Sequence, residues 1–297
     1  MNTTIEIPTI ADNNMLVSLK RKKPTTSVQV NTIVRDTVRE QLGDESLTLS
    51  KHLFKAGGVR VLLRKIDRIY DWHKQNTVPY VDRGDRILPG TFFEKYAAYM
   101  LTSIEDVDIT CADVIANWDM HIQEDMRQRT LKAKTLAAQH NITEDEYPTA
   151  QEAKDLFSVK YRVKAIPKGE HLLTMVPQWQ KDQLNEDMDE IVDIVRADLI
   201  SRMLKPVAAA VEKLSIPIGD RGSVFRDTLI DNLQEALSTA RQLNISDDPK
   251  VALAIDEMSK VVHGHIGSSE TMRTLEGKRK EAADKLTGLL DTLGGLQ

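Results

Sequence analysis

Two stretches of this chain leave room for little but long helix. From Glu105 to Asn141 there is neither glycine nor proline, and Val107, Cys111, Ile115, Trp118, Ile122 and Met126 recur at steps of four and three. That spacing lays one continuous apolar stripe along a helix. Ser103 stands where an N-cap is wanted, with Asp106 behind it as an imperfect capping box. A rod of this kind is on the order of 50 Å long and needs a partner of similar length. Gln178 to Leu214, also free of glycine, supplies one, with Leu184, Met188, Ile191, Val195, Leu199, Met203 and Val211 as its stripe. Pro206 lies inside that pattern and predicts a kink, because it removes a backbone donor and crowds the carbonyl of Arg202. The fold expected is mainly α: an elongated helical bundle with a long antiparallel helical pair and a minor β element.

Composition agrees. Aromatic residues are 5% and charged residues 29% of the 297, a profile of amphipathic helices rather than of a β-sandwich. A chain of this length buries a sizeable core in one or two domains. A net charge of −5 supplies no global basic field for nucleic acid. Cys111 is the single cysteine, so no intrachain disulfide forms and a reducing compartment fits. No apolar run reaches the ~20 residues that span a bilayer. Glu6 and Asp12, with no apolar h-region, exclude a secretory signal. The expectation is a soluble, cytoplasmic protein without a membrane partner.

Taken in order, residues 1–26 read as an N-terminal arm with a short strand at Met15–Leu19. It ends in the one dense basic run, Lys20, Arg21, Lys22 and Lys23. That run is either a solvated strand end or a contact for phosphate or an acidic partner. Residues 27–177 read as a helical core. Its first helix, Ser27 to Leu42, ends at Gly43. A second, Ser50 to Gln75, carries Leu62, Ile66, Ile69 and His73 at helical spacing, with Gly57-Gly58 setting off a first turn. Thr77 to Pro89 cannot be helix and reads as a structural connector, with a binding or catalytic loop as the other reading. Pro79, Gly84 and Pro89 shape it, Asp82, Arg83, Asp85 and Arg86 tie it down, and Val78, Tyr80, Val81, Ile87 and Leu88 anchor it. A short helix, Thr91 to Leu101, follows. Beyond the first long run, Thr149 and Glu152 make a capping box after Pro148. Phe157–Pro167 and Leu172–Val176 pair as strands, with each other or with Met15–Leu19.

Residues 178–297 read as a C-terminal helical bundle packing on that core. Ser223–Leu243 carries Phe225, Leu229, Leu233, Ala236 and Ala240 on one face. Asp248-Pro249 starts a helix that reaches Gly264, and a last helix runs from Ser268 to Leu293. In that last helix Leu286, Leu289, Leu290 and Leu293 crowd the end. They form either an apolar surface for a protein partner or self-association, or a face packed on Val251–Val262.

Chemistry is sparse. His263-Gly264-His265 offers two histidines and no third metal ligand, and reads as a helix C-terminus. His121 with Glu124 and Asp125 lacks the H-E-x-x-H order and reads as a polar helix face. Gly219 to Ser223 precedes a helix and reads as a capped helix start, with anion binding as the other reading. Cys111 falls on the apolar stripe as a small core residue. Four carboxylates between Asn185 and Glu190 suit a helix start. Gly57-Gly58 lacks the spacing and lysine of a phosphate loop, and no nucleophile–base pair or dinucleotide fingerprint is present. No catalytic residue, metal ligand or cofactor is therefore assigned.

One resemblance adds to this. Leu19-Lys-Arg-Lys-Lys, then Asn76-Thr-Val-Pro-Tyr, Gly84-Asp-Arg-Ile-Leu-Pro89, a long helix, Tyr147-Pro-Thr and Phe157 with Ile166-Pro167 follow one another in order. Over residues 14–170 this order resembles a family of uncharacterised, mostly helical phage and prophage proteins related to a bacterial domain of unknown function. Relatives are encoded near MoxR-type AAA+ ATPases and von Willebrand A-type proteins. The resemblance implies a non-enzymatic phage protein of the host cytoplasm, acting by protein–protein interaction or assembly, as an adaptor beside an AAA+ ATPase. It implies no catalytic residue. The alternative is a nucleic-acid-associated factor in phage replication, using Lys20–Lys23 with Arg60, Arg64 and Lys65 as a local basic patch.

Overall fold

Helices dominate the computed structural model, as the periodicity expects, beside a small antiparallel sheet. The structure describes residues 13–29, 32–46, 48, 50–81, 84–132, 143–166, 177–245, 247–266 and 268–295, without the side chains at 33, 34, 180, 181, 183–185, 187 and 188. The chain folds into two compact units that do not follow chain order. One comprises residues 1–18, 74–94 and 162–297. The other comprises residues 19–73 and 95–161. The C-terminal segment from 178 onward lies wholly in the first unit.

In the first unit the Thr77–Pro89 connector turns out to be a β-hairpin. Strands β4 (Val78–Pro79) and β5 (Asp85–Pro89) pair antiparallel, Val78 opposite Ile87, and β5 pairs on its other edge with β1 (Asn14–Lys22), Leu16 opposite Ile87. Two prolines forbid helix but not this sheet, because Pro79 sits on an edge strand that asks no ladder donor of it. Strand β6 (Ser158–Ala165) completes the order β4-β5-β1-β6. So the predicted Phe157–Pro167 run holds a strand at Ser158–Ala165, with Met15–Leu19 in the neighbouring strand, whereas Pro167, Leu172–Val176, Asp82 and Arg83 lie outside the described residues.

The rest of the first unit is a helical bundle around α6 (Gln178–Leu214), whose bounds match the sequence reading and which runs on through Pro206. Within this unit α6 packs on α7 (Asp227–Leu243) and α10 (Glu276–Gly294), and α8 (Pro249–Gly264) packs on both of those. The stripe Ile191, Val195, Leu199, Met203, Val207 is buried against Leu233, Leu237, Met258, Leu286 and Leu293. Asp248 caps α8 as expected, accepting from the amides of Lys250 and Val251, with Pro249 at the first helical position. Two boundaries differ. The last helix is broken at Leu275 into α9 (Ser269–Thr274) and α10. Helix α7 starts at Asp227 rather than Ser223, because Gly219 (φ 97°) and Gly222 (φ 93°) hold the preceding residues in a left-handed turn.

The second unit holds β2 (Ser27–Gln29) paired with β3 (Ser50–His52), and the helices α1 (Thr32–Leu42), α2 (Gly57–Gln75), α3 (Phe93–Ala116), α4 (Trp118–Lys132) and α5 (Ala150–Ala153). Leu62, Ile66, Ile69 and His73 of α2 are buried as their spacing predicts. The long run is not one helix. Asn117 interrupts it between α3 and α4. Ser103 is no cap: α3 passes straight through it, because Tyr96, Met100, Val107 and Val114 make one buried face across that position. Packing along a whole face outweighs the local preference of one serine. The Thr149–Glu152 capping box is present on α5.

Candidate functional site

Asp125 accepts hydrogen bonds from several parts of the second unit. It is 1% exposed. It accepts from the backbone amides of Phe54 (2.9 Å) and Ala56 (2.8 Å), from the Tyr147 hydroxyl (2.7 Å) and from Arg129 Nε (2.9 Å). One turn earlier on α4, His121 Nδ1 accepts from the amide of Gly58 (3.2 Å). An accepting Nδ1 puts the imidazole proton on Nε2. Together they hold the chain where it enters α2, with Phe54 (φ 59°) and Gly57 (φ 68°) in left-handed backbone. That conformation is strained for phenylalanine. It persists because the Phe54 amide is bonded to Asp125 and its ring is buried against Tyr147 (5.4 Å, edge-on) and Trp118 (6.0 Å). Trp118 is itself fixed by its indole donating to the carbonyl of Pro148 (2.8 Å).

Sequence reading placed His121 and Asp125 on a polar helix face and missed this. The available signal was Gly57-Gly58: a Cβ at Gly58 would lie 2.6 Å from His121 Nε2, so a second group closes on those glycines. Among the described residues His121 Nε2, Arg129 Nη2 and Glu146 Oε2 are buried without a partner, and all three residues belong to this neighbourhood. Glu146 also takes Lys51 in an ion pair. Burial first, and then the bond to Asp125, push the Tyr147 phenol well above its ordinary range, so it stays a donor. The carboxylate is saturated and the phenol is held neutral. The arrangement anchors a loop rather than activating a nucleophile.

The basic run sits at the end of β1. Arg21 and Lys23 both bond Asp67 of α2 (2.5 Å each), and the Arg21 guanidinium covers the Tyr70 ring at 3.8 Å. Asp67 follows Arg60 and Arg64 along α2 at steps of four and three, so the strand end lands on the helix face carrying those arginines. Lys65 is turned aside to Asp106 (2.7 Å). Lys20 and Lys22 are exposed.

The connector residues do structural work in the first unit. Asp85 pairs with Lys164 (2.7 Å). Arg86 donates to the carbonyls of Lys74 and Thr77 and to Thr77 Oγ1, and Arg202 of α6 donates to the carbonyls of Lys74, Gln75 and Thr77. Two guanidinium groups thus satisfy the orphan carbonyls at the end of α2, the negative end of its dipole.

The C-terminal leucines are corrected. Leu286, Leu289 and Leu293 are at most 3% exposed and Leu290 packs on the same core, so α10 spends this face on α6 and α8. Of the other candidates, His265 bonds Glu281 and His263 the carbonyl of Ser259. Among the described residues no three His, Cys, Asp or Glu side chains group as a metal site. Burial, and then Asp108, raise the Cys111 thiol, the opposite of nucleophile activation.

A surface that sequence reading overlooked is the outer face of α3. Leu101 is 70% and Ile109 64% exposed, with Ala98 exposed before them and Ala112 and Ala116 after them. At the start of α4, Met120 is 57% exposed. Acids stand in and beside this row: Glu105 lies between Leu101 and Ile109, and Glu94, Asp108, Asp113 and Asp119 are likewise exposed. Among the described residues no helix is long and apolar enough to cross a membrane. No family model, curated protein or solved structure matches the chain.

Proposed function

We propose that this chain is a non-enzymatic protein that works by binding other proteins, as an assembly factor or adaptor. The carrying observation is the outer face of α3, where Leu101 and Ile109 stand in solvent on a helix whose opposite face is already buried. Large apolar side chains set in a row with small ones are what a partner helix packs against. The resemblance over residues 14–170 supports a phage setting, in the host cytoplasm and beside an AAA+ ATPase. Affinity purification from producing cells tests the reading. A protein that is retained by the wild type, is lost with Leu101→Asp/Ile109→Asp and rebinds when purified supports it. Identical recovery by both overturns it.

A second reading, association with nucleic acid in phage replication, is favoured by one observation: Asp67 gathers Arg21 and Lys23 onto the helix face of Arg60 and Arg64. Phosphate contacts weaken steeply with salt. A salt-dependent DNA titration that Lys20→Glu/Lys22→Glu abolishes supports this reading, and salt-independent or absent binding removes it.

A further inference from the structure

The inference concerns what lies on the outer face of α3, and it rests on reading that face as a docking surface. Between Phe93 and Met120 the chain carries Glu94, Glu105, Asp106, Asp108, Asp113 and Asp119 against Lys95 alone. Asp106 is taken by Lys65. Among the described residues no cation pairs with Glu94, Glu105, Asp108, Asp113 or Asp119. Their positions matter as much as their number. Glu105 falls on the same helical face as Leu101 and Ile109, one turn from each, and Asp108 and Asp113 flank that row. The face is therefore an apolar row with Glu105 set between Leu101 and Ile109 and further acids at its sides, and small Ala98, Ala112 and Ala116 let another backbone approach closely.

We propose that this face receives a basic amphipathic helix of a partner protein, its apolar side on Leu101 and Ile109 and its lysines or arginines over Glu105, Asp108 and Asp113. A second copy of the same face is the wrong occupant, since it would set acid against acid. Nucleic acid is excluded from it by the same sign. The basic partner gains twice: it covers apolar surface, and it relieves the like-charge pair Glu105 and Asp108, three residues apart on one helix.

The experiment uses the full-length chain and two labelled probe peptides of about 21 residues, long enough to lie along α3. One is a Leu/Lys amphipathic helix, the other the same peptide with Glu replacing Lys. Fluorescence anisotropy is read for the wild type, Leu101→Ser/Ile109→Ser, Glu105→Lys/Asp108→Lys and Asp231→Lys/Glu235→Lys. The last pair makes the same charge change on exposed α7 positions. All substituted side chains are exposed apart from contacts on their own helix, and unchanged melting confirms the folds. The proposal expects the Leu/Lys peptide to bind the wild type. Each α3 pair should weaken it by about tenfold, with the α7 pair leaving it alone. If the Leu/Glu peptide binds instead, and Leu101→Ser/Ile109→Ser abolishes that binding, α3 still docks a partner but the basic occupant is overturned. If all three substituted proteins bind the Leu/Lys peptide alike, the attraction is diffuse charge and both the inference and the docking face fall.

Discussion

Arg279 is 1% exposed, and it donates to the carbonyls of Leu214 (3.1 Å), Met272 (2.9 Å), Ser223 (2.8 Å) and Lys213. Two of those carbonyls end α6, so the cation lies at the negative end of a 37-residue helix. Arg279→Ala leaves these acceptors buried and unpaired, and chemical denaturation should show a loss of about 3–5 kcal/mol. Arg279→Lys should recover only part of it, because a single ammonium cannot reproduce the planar fork. Tyr147 behaves differently, through pH. Its folded-state pKa is raised, so the stability it contributes is full below the ordinary tyrosine pKa and is lost as pH rises toward the folded value. Urea unfolding at about pH 8 and about pH 11 should therefore show a steeper alkaline loss for the wild type than for Tyr147→Phe. Equal losses would mean that the phenol titrates freely.

At the scale of elements, Gly58 is the instructive position, since a Cβ there would sit 2.6 Å from His121 Nε2. Gly58→Ala should cost about 1–3 kcal/mol through overpacking of the α2–α4 contact. Adding His121→Ala should return part of that loss, a coupling that a double-mutant cycle of thermal melts reads directly. Additive costs would show that the two residues do not meet. This contact also marks what sequence can and cannot say. The bounds of α6, the buried stripe of α2, the Asp248-Pro249 cap and the Thr149 box were legible, because each follows from local spacing or one capping side chain. The hairpin at Val78–Pro89 was not, since prolines exclude helix without naming the strand that pairs. Nor was Asp125: its amide partners at Phe54 and Ala56 lie 71 and 69 residues away, and no periodicity records a contact at that distance.

For the whole molecule, the leucines that end α10 decide whether the C-terminus is surface or core. Leu286, Leu289 and Leu293 belong to the core that α6, α7 and α8 also build. Deleting residues 284–297 takes all three away together with half of α10, far more apolar area than the rest of the first unit can cover by relaxing. The far-ultraviolet helical signal should then fall by much more than the deleted residues contribute. Tryptophan emission separates the two units, because Trp72 and Trp118 belong to the second unit and Trp179, in the first, is 63% exposed. The second unit carries its own buried set in Leu62, Ile66, Tyr96, Met100, Trp118 and Phe157, so blue-shifted emission should survive the truncation. Loss of both signals together would show one cooperative unit where the contacts draw two. A truncated chain with undiminished helix and normal melting would return Leu286 and its neighbours to the surface and reopen them as an interface.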